Sequence, residues 1–120
     1  MIQNTKVAWL LRVGVAGEFL GHGLLAIQGK ENWIGWIMQM LRVDVGTATT
    51  LLFLVGISDV IVAIIVLWKP FRPVLLWAAL WGFWTALVRP LVGESVLDFI
   101  ERFANWAAPL ALYYLIKKEE

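Results

Sequence analysis

Glu18 and His22 stand four residues apart in a run of small and apolar residues. Four residues make about one helical turn, so the two side chains would share a face. An imidazole titrates near neutrality, and beside a carboxyl it has the makings of a proton acceptor or a ligand contact. Asp59 interrupts a second apolar run, Arg89 closes a third, and Glu101, Arg102 and Asn105 fall in a fourth. Asp98, Arg102, Asn105 and Pro109 recur at helical spacing, with Glu101 beside them, and Thr85 and Arg89 are again four apart. Other chemistries lack their residues. There is no cysteine, which excludes disulfides, thiolate metal sites and thiol redox chemistry. One histidine cannot give bis-histidine haem ligation. No metal box, phosphate loop or nucleophile triad is visible, and Ser58 and Ser95 have no evident local base. No cofactor is implied, although a quinone or a lipid stays open as a bound molecule.

These residues are carried by elements of an unusual kind. The 120-residue chain is 61% hydrophobic, against about 45–50% for an ordinary soluble domain, and its mean hydropathy is +0.77. Crossing a bilayer of about 30 Å takes roughly 20 helical residues. Four segments reach that length, at about 7–27, 47–68, 73–92 and 96–116, and backbone in lipid must satisfy itself as helix. The first is read as a span of the mature protein and not as a cleaved leader. The expected fold is therefore all-α, a single integral membrane domain built as a four-helix bundle. Lys69-Pro70 and Arg72-Pro73 punctuate the second connection, whose shortness predicts that spans two and three are antiparallel neighbours. Ser95 and Asp98 suit the first turn of span four. In the longer first connection, Trp33, Trp36, Ile37, Met40 and Leu41 recur at helical spacing. This predicts a short amphipathic helix at about 32–42 lying on the membrane surface; a loop anchored by the two tryptophans is the plainer alternative.

Lys6, Lys69, Arg72, Lys117 and Lys118 fall on one side of such a bundle, with Lys30 and Arg42 on the other and Arg89 near its edge. That bias predicts a multi-pass protein of the inner (plasma) membrane with both termini cytoplasmic. The net charge of +1 gives no basic surface for nucleic acid. The expected partners are the lipid bilayer and either a membrane protein or further copies of the chain.

At about 1.5 Å per residue, Glu18 and Asp59 fall near mid-membrane, with His22 about 6 Å farther out. Arg89, Glu101 and Arg102 lie in the outer half. A charge at the bilayer centre costs about 2.5–3.5 kcal/mol on insertion scales. The six groups should therefore face inward and pair, Arg89 and Arg102 with Glu18, Asp59 or Glu101. Arg12, alone in the inner half, can snorkel to the cytoplasm. Gly14, Gly17 and Gly21 form a strip that would let another helix approach. Trp77, Trp81 and Trp84 form a stripe at i, i+4, i+7, either a packing face or a flat platform for a quinone, an isoprenoid or another subunit.

The stretches RVGVAGEFLGHGLLAIQGKENW, GISDVIVAIIVLWKP and ALVRPLVGESVLDFIERFANWAAPLALYYL resemble, in order and spacing, the DoxX-like family of small bacterial membrane proteins. Together they cover most of the chain. The resemblance implies a four-helix membrane bundle. It marks Arg12, Glu18, His22, Gly23, Asp59, Arg89, Pro90, Glu94, Glu101, Arg102 and Asn105 as motif residues, not as catalytic ones. The family takes its name from a subunit associated with thiosulfate:quinone oxidoreduction, and related proteins include membrane chaperones and cargo receptors. With no cysteine here, no thiol relay is inferred.

Any one arginine–carboxylate pair can be a structural tie, but a whole cluster of charges is a costly way to hold four helices. The first functional expectation is a polar site that binds a quinone- or isoprenoid-like molecule or serves a redox complex. The alternative is a structural or assembly subunit of a larger membrane complex. The third is a small transporter or proton conduit.

Overall fold

The computed structural model describes residues 5–117; Lys118, one of the residues behind the orientation argument, lies outside them. Three helices are long and apolar enough to cross a membrane: α1 (Thr5–Ile27), α3 (Val45–Trp68) and α4 (Arg72–Leu91). Between α1 and α3 runs the short helix α2 (Glu31–Leu41), and α4 is followed by α5 (Val96–Ile100) and α6 (Ala104–Lys117).

The punctuation follows from local chemistry. α1 stops at Gly29, whose φ of +78° is open to glycine. The Gly29 amide bonds back to Ala26 O and the Lys30 amide to Leu25 O, a paired closure of the last turn. Arg42 ends α2 in the left-handed region, and Asp44 then caps α3 by accepting from the Thr47 amide at 3.0 Å. Pro73 sits in the first turn of α4, where its missing N–H costs nothing.

The segment expected as a continuous fourth span is broken. Pro109 offers no amide, so the Asn105 carbonyl loses its helical partner. The chain ahead of it tightens into i→i+3 bonds, Arg102 N to Phe99 O and Phe103 N to Ile100 O, each 3.2 Å. The Asp98 carbonyl, deprived of its amide, takes the Arg102 guanidinium at 3.0 Å. What remains as α6 has 14 residues, about 21 Å of helix, less than a bilayer core.

The order of packing also differs from expectation. The link at 69–71 is short, yet α3 and α4 barely touch; α3 lies along α1, α4 along α6, and α1 meets α6. Close approach decides this. A Cβ on Gly56 would stand 2.9 Å from Ile27 N, and one on Gly23 would stand 2.9 Å from Gly56 O. Gly82 lies directly against the Asn105 carbonyl that Pro109 freed. Backbones meet where glycines face them, whereas α4 turns indoles toward α3. The strip expected to serve this purpose does not: Gly14, Gly17 and Gly21 are exposed with no neighbour within 4 Å.

A continuous core fills the half of the bundle nearest the 69–71 link, with Val15, Phe19, Val66, Leu75 and Leu112 at 2% exposure or less. The other half, which carries α2, is not filled.

Candidate functional site

The unfilled half contains a cavity of about 530 Å³ between α1, α2, α3 and α4, open sideways where α3 and α4 diverge. α1 contributes His22; α2 contributes Trp33 and Trp36; α3 contributes Ser58 and Asp59; α4 contributes Trp77, Trp81, Trp84 and Arg89. The i, i+4, i+7 spacing of the α4 indoles turns them to one wall. Trp77 and Trp81 stack with centroids 5.4 Å apart and planes 17° apart. Trp77 and Trp84 keep 41% and 38% of their surface exposed, so the wall continues to the outside of the bundle.

Heights along the helices order the polar groups. Counted from the link, Asp59 and Trp81 each stand nine residues up their helices, about 14 Å, and Arg89 stands about 26 Å up. That offset separates them: Arg89 forms no ion pair with a described acidic residue, contrary to the pairing expected with Glu18, Asp59 or Glu101. Its Nη1 instead donates to Thr85 O at 2.5 Å, and its Cζ lies 5.1 Å from the Trp36 ring centre. Arg89 is only 6% exposed. The charges nearest it are those of Glu94, Asp98, Glu101 and Arg102.

Asp59 is 4% exposed, and its Oδ1 has no hydrogen-bond partner. Its electrostatic neighbour is Glu18, half-buried across the α1–α3 seam. Glu18 itself stays outside the cavity lining. His22 meets the edge of Trp33 at 5.5 Å and 81°, and Lys30 Nζ lies 4.8 Å from the same indole.

The remaining charges are placed elsewhere. Glu101 and Arg102 were expected to face inward; they pair with each other at 2.8 Å on the turn that breaks the fourth segment, 62% and 30% exposed. Asn105 is half-buried beside Gly82 and away from the cavity. Arg12 reaches the link end of α3. Its Nε donates to Val66 O at 3.0 Å and its Nη2 to Leu67 O and Trp68 O at 2.5 and 3.3 Å, while Trp9 stacks beneath it at 3.7 Å. It closes the end of α3, where carbonyls have no amide partners and the helix dipole favours a cation.

Sequence reasoning missed Trp33 and Trp36 as cavity walls, having assigned them to a membrane surface. The available signal was their three-residue spacing next to a chain reversal at Gly29, which folds that stripe back over α3. No group of three or more His, Asp or Glu among the described residues is placed to hold a metal ion. The arrangement suits non-covalent binding: donors at one end, a carboxyl acceptor deeper, and flat apolar faces between. Comparison of the chain with family models, curated proteins and solved structures finds no match.

Proposed function

We propose that this chain is a DoxX-like multi-pass protein of the inner membrane that binds a small amphiphile in its lateral cavity. The observation that carries this reading is a cavity of about 530 Å³ walled by five indoles and open between α3 and α4. A molecule with the size and outline of a quinone or an isoprenoid suits that shape. Its head would lie against the Trp77–Trp81 pair and its tail would leave sideways into lipid. Arg89 and His22 would border the cavity at its α2 end, Arg89 about 12 Å beyond the head. In this reading α5, the turn and α6 make a broken fourth crossing, both termini are cytoplasmic, and α2 lies at the outer membrane surface as the roof of the site.

Binding of a short-tailed benzoquinone to the purified chain in detergent tests the reading through tryptophan fluorescence. Saturable quenching, at one molecule per chain, is expected. It should be lost in Val55→Phe, which pushes a ring into the cavity from α3. Quenching that never saturates, or that Val55→Phe leaves intact, counts against a site here.

The second reading, an assembly subunit, draws on a different feature. Gly14, Gly17 and Gly21 face outward with nothing against them, the surface another helix would use. Purification in mild detergent with native mass spectrometry separates the two: a partner lost on Gly17→Leu supports assembly.

A further inference from the structure

The charges at the height of Asp59 do not balance. Asp59 and Glu18 interact across the α1–α3 seam, and neither makes an ion pair with a described cation. The two nearby arginines are engaged elsewhere. Arg12 is held at the link end by three carbonyls. Arg89 stands about 12 Å higher, held by Thr85 O and Trp36, with Arg102, Asp98, Glu101 and Glu94 as its nearest charges. His22 also lines the cavity, but it lies edge-on to Trp33 with Lys30 over the same indole, so it is already in a basic neighbourhood. Among the described residues, the one buried carboxyl oxygen without a partner, Asp59 Oδ1, belongs to a residue that lines the cavity. Trp81 lines it at the same height, stacked on Trp77. A carboxyl beside flat indole faces, shielded from water, is the environment that attracts an organic cation: the ring faces are electron-rich and the carboxylate supplies the opposite charge.

We propose that the deep end of the cavity selects an amphiphile with a positively charged head, a lipophilic ammonium or phosphonium, held between the Asp59 carboxyl and the Trp77–Trp81 pair. This rests on the cavity being a binding site, and it decides the sign of the head group that the site takes. The cation enters sideways between α3 and α4 and descends below Arg89, whose charge repels it from the α2 end. Glu18 adds attraction from behind Asp59 without touching the ligand.

The test uses tetraphenylphosphonium and tetraphenylborate, ions of the same shape and opposite charge, with a neutral short-tailed benzoquinone as the third probe. Binding to the full chain is measured by equilibrium dialysis above a background of empty micelles. The phosphonium is expected to bind roughly tenfold or more tightly than the borate, a difference set by the sign of the charge alone. Asp59→Asn should collapse that preference, and Asp59→Glu should restore most of it. Glu18→Gln should weaken the phosphonium by a smaller factor, and Trp81→Leu by roughly threefold to tenfold through the lost ring face. Equal or tighter borate binding overturns the proposal, as does a preference that survives in Asp59→Asn. If the neutral quinone binds and the phosphonium does not, the cation proposal fails while the cavity reading stands. If none of the three binds, both fail.

Discussion

The two halves of this bundle solve the problem of buried charge in opposite ways. In the half next to the 69–71 link, Arg12 meets three carbonyls at the end of α3, and Arg72 reaches the Tyr113 hydroxyl at 2.7 Å. Apolar side chains fill the space between. In the half that carries α2, Asp59 has a carboxyl oxygen with no partner and faces a cavity. Both halves are built on the same helices, so neither composition nor helix length separates them. The glycine contacts do. Gly23–Gly56 and Gly82–Asn105 clamp α3 to α1 and α4 to α6, and the two clamped pairs diverge above the link. A packed half supports a half that is left open.

The largest effect should come from opening the packed half. Leu75 is fully buried among Val15, Val66 and Leu112. Leu75→Ala is expected to destabilise the fold by about 2 kcal/mol, the low end of the range for buried leucine, because lipid removes most of the transfer contribution and leaves the packing loss. Val55→Ala, on the wall of an existing cavity, should cost less than about 1 kcal/mol, since it enlarges a space already present. Unfolding titrations in mixed micelles compare the two. Equal losses would mean that the cavity half is as tightly packed as the other.

The next effect concerns Arg12. Hydrogen bonds from a charged donor are worth about 1.5–3 kcal/mol, and the partial exposure of this site sets the expected loss in Arg12→Leu near the lower figure. Arg12→Lys should recover only part of it, because a single ammonium cannot reach three carbonyls as a planar guanidinium does. The same unfolding titration reads both variants. If Arg12→Leu unfolds like the parent chain, Arg12 is not what closes α3.

The sequence made much of this legible. Apolar runs marked the long helices, and the indole spacing on Trp33 and Trp36 marked α2. His22, Asp59 and Arg89, read as one polar cluster, all line the cavity, and so does the Trp77–Trp84 stripe, which its spacing sets on a separate face. What stayed hidden depends on relations between helices. The height difference between Arg89 and Asp59 was already in the residue count; that α3 and α4 also diverge was not, since a short link suggests they would not. Glycine spacing drew attention to Gly14, Gly17 and Gly21, whereas Gly23, Gly56 and Gly82 make the contacts, because a close approach needs a glycine at the point where another helix's backbone crosses, not a strip. The break in the fourth segment needed two facts at once: Pro109 removes an amide, and Gly82 on another helix receives the freed carbonyl.

The smallest effect lies at the opposite end of α3. Arg12 closes that helix with a cation at its carbonyl end; Asp44 closes it with an anion at its amide end, accepting from Thr47 N at 3.0 Å. Hydrogen bonds from the Thr47 side chain and amide hold the Asp44 carboxyl below the usual carboxylate range. A group whose folded pKa is depressed adds stability that is complete above its unfolded value of about 3.9 and disappears as the pH falls through the lower folded value. Asp44→Ala should therefore lower the melting temperature slightly near pH 7. The gap should close at the most acidic pH the fold survives, where the parent chain has lost the same charge. Asp44→Asn, a neutral cap, should sit between the two near neutrality and change little with pH. A gap between parent and Asp44→Ala that persists unchanged into acid would show that shape, and not the carboxylate, starts α3. The cap is fully exposed, so this is the charge whose loss the bundle should feel least. Arg12 and Asp44 would then show α3 secured more firmly where the bundle is packed than where it opens around the cavity.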